Sequence, residues 1–430
     1  RPPMTTTLVT LFVLCYLAIA MEHPLQVNKS ASALIGAGLL WTIYAVGLGD
    51  PHAVGEQLGE SLMGTAQIVF FLMGAMTIVE VVDAHNGFGV VTSRIKTTRL
   101  ASLMWLIAGV TFVLSAILDN LTTTIVMVSL LRKLLARHED RLLLAGIIVI
   151  AANSGGAWSP IGDVTTTMLW IGGQVSSLGI IQALWLPSLV SMLVPLGVTA
   201  WLLRGREVEA PASSALDAPH QSSAFERKLM FFLGLAILVA VPAFKTLTHL
   251  PPFMGILLGL GVLWLVGDLL HRHKDEEDKQ RLTLTHALSK IDMASLLFFV
   301  GILLAVATLE HTHVLRALAG WLDTTVGRQD LIVLIIGIAS AIVDNVPLVA
   351  ASMGMYSLAT YPTDHFLWEF LAYCAGTGGS ILIIGSAAGV AAMGLERIQF
   401  GWYLKNISAL ALLGYLAGAG TYLVQHRLLS

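Results

Sequence analysis

The sequence predicts an all-α polytopic membrane protein made of two inverted-topology repeats, each with a re-entrant helical hairpin and a broken transmembrane helix. Hydrophobic residues make up 56% of the chain and charged residues 12%, whereas soluble domains carry roughly 25% charged residues. Apolar runs of about 18 residues or more, long enough to cross a bilayer, recur from end to end. The segment 115–120 (Ser-Ala-Ile-Leu-Asp-Asn) returns at 340–345 (Ser-Ala-Ile-Val-Asp-Asn), which indicates an internal duplication of the 430-residue chain.

The apolar segments give the order of the predicted helices. The predicted spans are 5–21, 31–49, 65–82, 142–173, 181–203, 229–248, 253–270, 291–309, 367–395 and 403–424. Two further apolar blocks, 100–136 and 330–360, hold the Asp-Asn pairs at their centres. The first span also fits a cleaved signal peptide, but its match to 229–248 favours a retained helix. A net charge of −3 and two isolated cysteines indicate neither nucleic-acid binding nor a disulfide framework.

Basic residues predict that the first apolar block is a hairpin. They flank it on both sides, at Arg94, Lys96 and Arg99 before it and at Arg132, Lys133, Arg137 and Arg141 after it. Short cytoplasmic loops collect Lys and Arg, so the block should enter and leave on one side, with Asp119 and Asn120 at its tip. The second block has only Arg328 beside it and is expected to enter from outside. This topology puts both termini in the periplasm.

The two halves align at an offset near 225. Residues 154–156 and Gly162 match 377–379 and Gly385, and each half has about five crossings and one hairpin. An odd number of crossings inverts the second half in the membrane. Inverted repeats with hairpins or broken helices are typical of secondary transporters, whose sites lie near the midplane.

Asp119 and Asp344, at the two predicted tips, are the first candidate ion-binding residues. An aspartate at a helix centre costs roughly 2.5–3.5 kcal/mol on insertion scales. Either residue would also cap the second hairpin arm, but an uncharged side chain would cap it without a buried charge. Ser115 and Ser340 precede them by four residues, on the same helical face. Their hydroxyls would bind the same ion or their own helix backbone.

The second candidate element is the polar interruption at 153–163, which contains two adjacent glycines, a proline and Asp163. These residues should unwind the helix and free half-helix ends that suit a cation. The alternative is a packing kink with Asp163 as a helix cap. The matching break at 376–380 has hydroxyls but no acid. The predicted supporting residues are Ser115, Thr122, Asn153, Ser154, Ser340, Thr377 and Ser380.

The chemistry of these side chains favours a hard cation, because carboxylate, amide and hydroxyl oxygens bind Na⁺ or Li⁺ better than soft ions. In the sequence, no Arg or Lys lies near either tip or break, which weighs against an anionic substrate. We therefore expect a transporter rather than an enzyme, with Na⁺ or Li⁺ and protons as its partners and no cofactor. Ion and protons would compete for the midplane aspartates.

The motifs resemble those of the NhaD-type sodium/proton antiporters of the ion-transporter superfamily. The most specific segments are 70–76, the two hairpin tips and 153–163. The resemblance implies exchange of Na⁺ or Li⁺ for H⁺ in a bacterial inner membrane, pH homeostasis and a homodimer. It marks as ion-handling the residues Asp119, Asn120, Asp163, Asp344 and Asn345.

The resemblance also implies a scaffold domain and a mobile transport domain with elevator-like alternating access. The expected division is 1–94 scaffold, 95–180 transport, 181–203 scaffold, 204–228 cytoplasmic linker, 229–325 scaffold, 326–395 transport and 396–430 final helix. Two alternatives in the same superfamily are a Na⁺-coupled carboxylate symporter and an arsenite-type efflux carrier. A membrane scaffold or sensor without transport is a third.

Overall fold

The structure is a computed structural model that describes residues 2–92, 97–209, 222–342 and 345–429. It is helical, and among the described residues nine helices are long and apolar enough to cross a membrane. The helices of the first half are α1 (Pro2–Ala20), α2 (Glu22–Leu25), α3 (Lys29–Leu48), α4 (Pro51–Ala84), α5 (Gly89–Thr92), α6 (Leu100–Leu118), α7 (Asn120–Leu134), α8 (His138–Ala157), α9 (Val164–Ile171) and α10 (Ser177–Leu202). Those of the second half are α11 (Ala224–Thr248), α12 (Pro252–His271), α13 (Glu276–Leu282), α14 (Leu284–Lys290), α15 (Met293–His311), α16 (Val314–Thr325), α17 (Gln329–Ala339), α18 (Asn345–Met355), α19 (Phe366–Gly378), α20 (Ala387–Glu396), α21 (Phe400–Asn406) and α22 (Ser408–Leu429).

Helix α4 is the main departure from the predicted boundaries. It has 34 residues and begins at Pro51, whereas the sequence predicted a span over 65–82. Asp50 caps it by accepting hydrogen bonds from the backbone of His52 and Ala53, and proline is favoured at the first helical position. The acidic residues Glu56 and Glu60, which lie between the predicted spans 31–49 and 65–82, therefore lie on this helix.

The first hairpin begins and ends at the same side of the molecule. The backbone N–H of Val208 donates to the Thr98 carbonyl at 2.8 Å, and that of Ala136 donates to the Glu209 carbonyl at 2.8 Å. One segment, 206–209, therefore touches both the start of α6 and the end of α7, as a re-entrant hairpin requires. We call this side the arginine-rich end, after Arg99, Arg132, Arg137, Arg141, Arg204 and Arg206.

The second hairpin begins and ends at the opposite side. Helix α10 carries the chain from the loop 172–176 to the arginine-rich end over 26 residues, roughly 39 Å at 1.5 Å per residue. Thr363 donates to the Gly173 carbonyl at 2.7 Å, which joins that loop to the segment after α18. Gln329, at the start of α17, donates to the Tyr361 hydroxyl at 2.7 Å. The two hairpins thus enter from opposite ends, although the repeat relationship as a whole stays a prediction.

Both termini lie at the end opposite the arginines. A Cβ atom added at Gly47, near the end of α3, would lie 2.2 Å from the Met4 sulfur. Gln425, near the end of α22, donates to the Ala183 carbonyl at 3.0 Å. The assignment of this end to the periplasm stays a prediction, as does the cytoplasmic linker 204–228, of which residues 210–221 lie outside the described residues.

The helices pack in two groups. In one group α15 packs against α3 and α4, and α12 packs against α4 and α11. In the other, α8 packs against α6, α7 and α19, and α17 packs against α19. Helix α10, predicted as scaffold, lies against α22, α8 and α19 in the second group. The division into scaffold and transport domains stays a prediction, and α10 is where the observed packing departs from it.

In each half of the chain, a glycine lets one arm of the hairpin pack closely against the helix break. A Cβ atom added at Gly155 would lie 2.3 Å from the Phe112 carbonyl oxygen, and one added at Gly378 would lie 2.0 Å from that of Gly337. Only glycine leaves room for such an approach. These glycines are matched positions in the sequence alignment of the halves, so the local packing is duplicated along with the residues.

Candidate ion-binding site

Asp119 forms the tip of the first hairpin and caps its second arm. Its φ of +91° is strained for a residue with a Cβ, at a cost of about 1–3 kcal/mol. One carboxylate oxygen accepts a hydrogen bond from the Thr122 backbone N–H, and the other accepts one from the Thr122 hydroxyl, both at 2.8 Å. Asp119 therefore has the capping role considered from the sequence. The capping group is a carboxylate that lies among apolar side chains.

Asn120 joins the hairpin tip to the broken helix. Its side-chain N–H₂ donates to Asp163 at 2.6 Å and to the Asn153 amide oxygen at 3.0 Å. The other Asp163 oxygen accepts from the backbone N–H and hydroxyl of Thr165, at 2.8 and 2.6 Å, and so caps α9. Asp163 is 1% exposed and Asn153 fully buried, so these groups depend on one another for hydrogen bonds.

Asn153 extends this network into the second half. Its N–H₂ group donates to the hydroxyls of Ser380 at 2.8 Å and Ser386 at 2.9 Å. Both serines lie at the break between α19 and α20, so the two helix breaks meet directly. Ser386 aligns with Asp163 and in turn accepts from the Gly389 backbone at 3.2 Å.

A single cavity collects the candidate residues. Asp119, Asn120, Asp163 and Asn345 all line it, which brings the tip region of the second hairpin to that of the first. Asp344 lies outside the described residues, so its predicted place beside them stays a prediction. Further lining residues are Thr122, Val164, Thr167, Val346, Ala387 and apolar side chains of several helices, among them Phe71, Leu72, Ala75 and Met76 from segment 70–76.

The cavity extends from the tips towards the arginine-rich end. Its other lining residues include Lys29 and Ser295, which begin α3 and α15. The Ser30 hydroxyl donates to the Ala294 carbonyl at 2.6 Å, so these two helix starts lie together. The Tyr44 hydroxyl, near the end of α3, donates to Gln57, near the start of α4, at 2.9 Å, so α3 begins beside the end of α4. That end meets the start of α11, because a Cβ atom added at Gly87 would lie 3.3 Å from the Phe231 Cβ. Since α11 ends beside Trp170, close to the loop 172–176, these helix starts lie at the arginine-rich end.

On the other side of the cavity, a lysine holds the end of α9. The Lys245 ammonium of α11 donates to the Trp170 carbonyl at 2.5 Å and lies 4.4 Å from the centroid of the same indole. The carbonyl end of a helix carries partial negative charge, so the ammonium complements it. This contact joins the two packing groups.

Several predicted supporting residues do not line the cavity. Ser115 donates to the Ala152 carbonyl, Ser340 to that of Gly337 and Thr377 to that of Tyr373, at 2.6, 2.7 and 2.6 Å. Ser154 pairs with the Ser191 hydroxyl at 3.2 Å. The hydroxyls of the first three residues thus bond backbone in this structure, and a supporting role in ion binding stays a prediction for all four.

Lys29 is the residue that sequence reasoning missed. From the sequence, no Arg or Lys was expected near the hairpin tips, and this is wrong because the folded chain places Lys29 in the lining of the same cavity as Asp119. Lys29 lies 90 positions earlier in the chain, so only the packing of α3 against α15 brings it there.

Comparisons with known proteins show which proteins the chain is similar to. The citrate transporter family, CitMHS, matches residues 16–376. Sodium/proton antiporter 1 of Arabidopsis thaliana is 50% identical over 97% of this chain and 72% of its own length. The Na(+)/H(+) antiporter NhaD of Alkalimonas amylolytica is 30% identical over 96% of this chain and 89% of its own. The crystal structure of the Alcanivorax borkumensis YdaH transporter, described as having an unusual topology, covers 93% of this chain and 98% of its own, with a TM-score of 0.59 and 14% identity.

Proposed function

We propose, from the premise that this chain belongs to the citrate transporter family CitMHS and to the NhaD-type sodium/proton antiporters, that it exchanges Na⁺ for H⁺ across a membrane. Relatives named as sodium/proton antiporters match nearly the whole chain, at 50% and 30% identity. The observation that carries the proposal is the convergence of Asp119, Asp163 and Asn345, from both hairpins and a helix break, in one cavity.

Exchange follows from competition for the same oxygen atoms. A Na⁺ ion needs ionised carboxylates and neutral oxygen ligands, which Asp119, Asp163, Asn120 and Asn345 supply. When Na⁺ leaves, an ionised carboxylate in apolar surroundings is costly, and a proton removes that cost. Close acids titrate as a group, so the cavity holds either the metal ion or protons. Asp344 would add a further carboxylate from the second tip.

Alternating access would require the hairpins and broken helices to move against α3, α4 and α15. The cavity reaches towards the arginine-rich end, while the Lys245 contact with Trp170 joins the two packing groups on the other side. An elevator-like step would break that contact and open the site to the opposite end. Moving the site across the membrane should cost little free energy only when its carboxylates are protonated or bind Na⁺. The empty, charged site should not cross, which makes exchange obligatory.

The test is transport by the purified full chain in proteoliposomes containing a pH-sensitive dye. A pulse of Na⁺ should move protons in the opposite direction, and Li⁺ should act in the same way. No proton movement after either pulse, in vesicles that hold a pH gradient, would contradict the proposal. The same experiment with K⁺ controls for non-specific ionic effects.

Carboxylate transport is the second candidate, because the matching family carries the description citrate transporter and Lys29 lines the cavity. A basic group is what an anionic substrate would use. Uptake of labelled citrate that depends on Na⁺, without proton release, would favour this function. Arsenite in the same vesicles tests the efflux alternative.

We also propose Li⁺ transport, a homodimer, a role in pH homeostasis and a location in a bacterial inner membrane. The last has the least support, because a relative at 50% identity comes from Arabidopsis thaliana, whereas the NhaD antiporter of Alkalimonas amylolytica is 30% identical. Fluorescence localisation in the source cell would decide it.

A further inference from the structure

A separate cavity lies at the arginine-rich end. It has a volume of about 330 Å³ and shares no lining residue with the candidate ion-binding site. The end of α7, the start of α8 and the end of α20 form it. Three guanidinium groups and one carboxylate share its lining, which is therefore positively charged. The lining residues are Arg132, His138, Arg141, Leu395, Glu396 and Arg397.

Glu396 positions two of the guanidinium groups. Its buried carboxylate accepts a hydrogen bond from the Arg132 Nε at 2.8 Å and one from the Arg141 Nε at 3.2 Å. The Arg141 Nη1 also donates to the carbonyls of Leu135 and Ala136, at 3.0 and 2.8 Å, and so holds the loop between α7 and α8. The Arg132 side chain is more than half exposed, and its Nη groups donate no hydrogen bond to any described residue. Arg132 is thus fixed at one nitrogen and keeps donors for a ligand.

Arg397 has a backbone conformation that arginine rarely adopts. Its φ is +54° and its ψ +43°, directly after the end of α20, where glycine is usual. Its exposed side chain forms no ion pair or hydrogen bond with the part of the chain that the structure describes. Helix capping therefore does not explain an arginine here. The side chain brings to the cavity a guanidinium whose donors no described residue uses.

The surroundings of the cavity indicate a membrane surface. Helix α21 begins three residues after Arg397, and its Phe400 and Leu404 side chains are exposed. These two residues are four positions apart and share a helix face, and Lys405 beside them is also exposed. Trp201, in the last turn of α10, is exposed at the same end of the molecule. Exposed aromatic and basic side chains together are typical of the boundary between bilayer and water.

We propose that this cavity binds the phosphate group of an anionic membrane lipid. A guanidinium presents paired N–H donors in a plane that matches two phosphate oxygens, and basic pockets between transmembrane helices bind anionic headgroups. Arg132 and Arg397 bind the phosphate, and Glu396 holds Arg132 in place. Because Arg132 ends α7 and Arg397 follows α20, the bound lipid joins the two halves of the chain. The inference is independent of the proposed function, since it concerns lipid binding and not transport.

The test measures how added lipid raises the thermal midpoint of the purified full chain in detergent micelles. Phosphatidylglycerol, which is anionic, should stabilise the wild type at lower concentration than phosphatidylcholine, whose headgroup has no net charge. Arg397→Gln should keep the wild-type midpoint without lipid, because its side chain bonds no described residue. It should need about fivefold more phosphatidylglycerol for half-maximal stabilisation, the factor expected for one arginine near an anionic surface.

Arg137→Gln is the matched control for the loss of one positive charge. Arg137 lies at the same end, pairs with the exposed Glu209 and does not line the cavity. This variant should need as much phosphatidylglycerol as the wild type. Equal losses in Arg137→Gln and Arg397→Gln would overturn the inference, because general surface charge would then attract the lipid. Equal stabilisation of the wild type by the two lipids would overturn it as well.

Inorganic phosphate distinguishes the two sources of a phosphate group. At the same phosphate concentration it should stabilise the wild type less than phosphatidylglycerol does, because only a lipid adds contacts between its acyl chains and the exposed apolar residues of α21. Stabilisation by inorganic phosphate that equals or exceeds that by the lipid would indicate a site for a soluble anion and would overturn the lipid assignment.

Discussion

Asn120 donates a 2.6 Å hydrogen bond to Asp163 and thereby ties the tip of the first hairpin to the break in the neighbouring helix. The two residues are 43 positions apart and both are buried. Each acid in the site also caps a helix, Asp119 for α7 and Asp163 for α9. The hydrogen bonds that cap α7 and α9 thus also hold the two carboxylates in place. A charge that is costly to bury is therefore kept in one geometry.

Asp119→Asn removes the charge and keeps the helix cap, because asparagine caps a helix as well as aspartate does. We expect Na⁺-dependent proton movement to fall to background while the thermal midpoint is kept or raised, since a buried charge is removed. Proteoliposome exchange and thermal unfolding measure the two effects. Asp50→Asn, at the exposed cap of α4, is the control and should transport normally. Wild-type exchange in Asp119→Asn would remove Asp119 from the mechanism.

Asn120→Ala should destabilise the protein and impair exchange together. The substitution removes the donor that the Asp163 and Asn153 oxygens share, and the loss of these buried hydrogen bonds should cost about 1–3 kcal/mol. The thermal midpoint of the purified protein should fall clearly below wild type. Asn406→Ala, at an exposed amide that bonds only its own helix, should stay within about 0.5 kcal/mol. Equal midpoints in the two variants would contradict the network.

The sequence was sufficient for most helices, whereas the meeting of Asp119 with Asp344 stays a prediction because Asp344 lies outside the described residues. A long apolar run predicts a membrane span, and an acidic residue or a pair of glycines inside that run predicts a helix break. Both features can be seen within a short stretch of sequence. The length of α4 was also readable, since Asp50 followed by Pro51 is a helix start. It was missed because the predicted span 65–82 followed the apolar run alone, and the polar residues around Glu56 lie before that run.

The sequence did not predict which helices pack against one another. Helix α10 is apolar around its whole circumference, and in a membrane such a helix gives no face that identifies its neighbour. No feature of the α10 sequence therefore predicted its contact with α22. Lys29 was missed for the same reason, because its place beside the acids depends on how α3 packs on α15. Asp119 was predicted as the tip residue from its chemistry, whereas its positive φ was not predicted.

Gly162→Ala should disrupt the contact between the first hairpin and the broken helix. A Cβ atom there would lie 2.6 Å from the Ser115 carbonyl oxygen and 2.9 Å from the Ala116 Cα, so backbone must shift. Overpacking of this kind costs about 1–3 kcal/mol. Gly109→Ala is the matched control on the same hairpin, because a Cβ there meets nothing within 4 Å. Alanine should stabilise that position slightly, and a lower thermal midpoint for Gly109→Ala than for Gly162→Ala would refute the argument.

Glu396→Gln should loosen the arginine-rich end of the hairpin bundle. The Glu396 carboxylate, 2% exposed at the end of α20, accepts from Arg132 at 2.8 Å and from Arg141 at 3.2 Å. Losing the charge leaves two guanidinium groups without their counter-ion, for a cost of about 1–3 kcal/mol given their partial exposure. Glu209→Gln breaks an exposed pair with Arg137 and should cost no more than about 1 kcal/mol. Thermal unfolding compares them, and equal losses would argue against a buried ion-pair network.

His85 predicts a pH dependence of stability. Burial lowers the pKa of His85 from its usual 6.5, so the unfolded chain binds a proton that the folded chain does not. The thermal midpoint should therefore fall as the pH drops below 6.5 and level off below the folded pKa, with each unit of separation worth about 1.4 kcal/mol. Its Nδ1–H donates to the Val81 carbonyl at 2.7 Å, which leaves Nε2 to accept from His271 at 3.1 Å.

His85→Gln should flatten this pH dependence, because glutamine does not titrate. His52→Gln, at an exposed histidine of α4, should keep the wild-type slope and is the matched control. The measurement is the thermal midpoint between pH 5 and pH 8 at constant ionic strength, so that screening of surface charges does not change. A slope in His85→Gln as steep as that of wild type would assign the pH dependence to other groups.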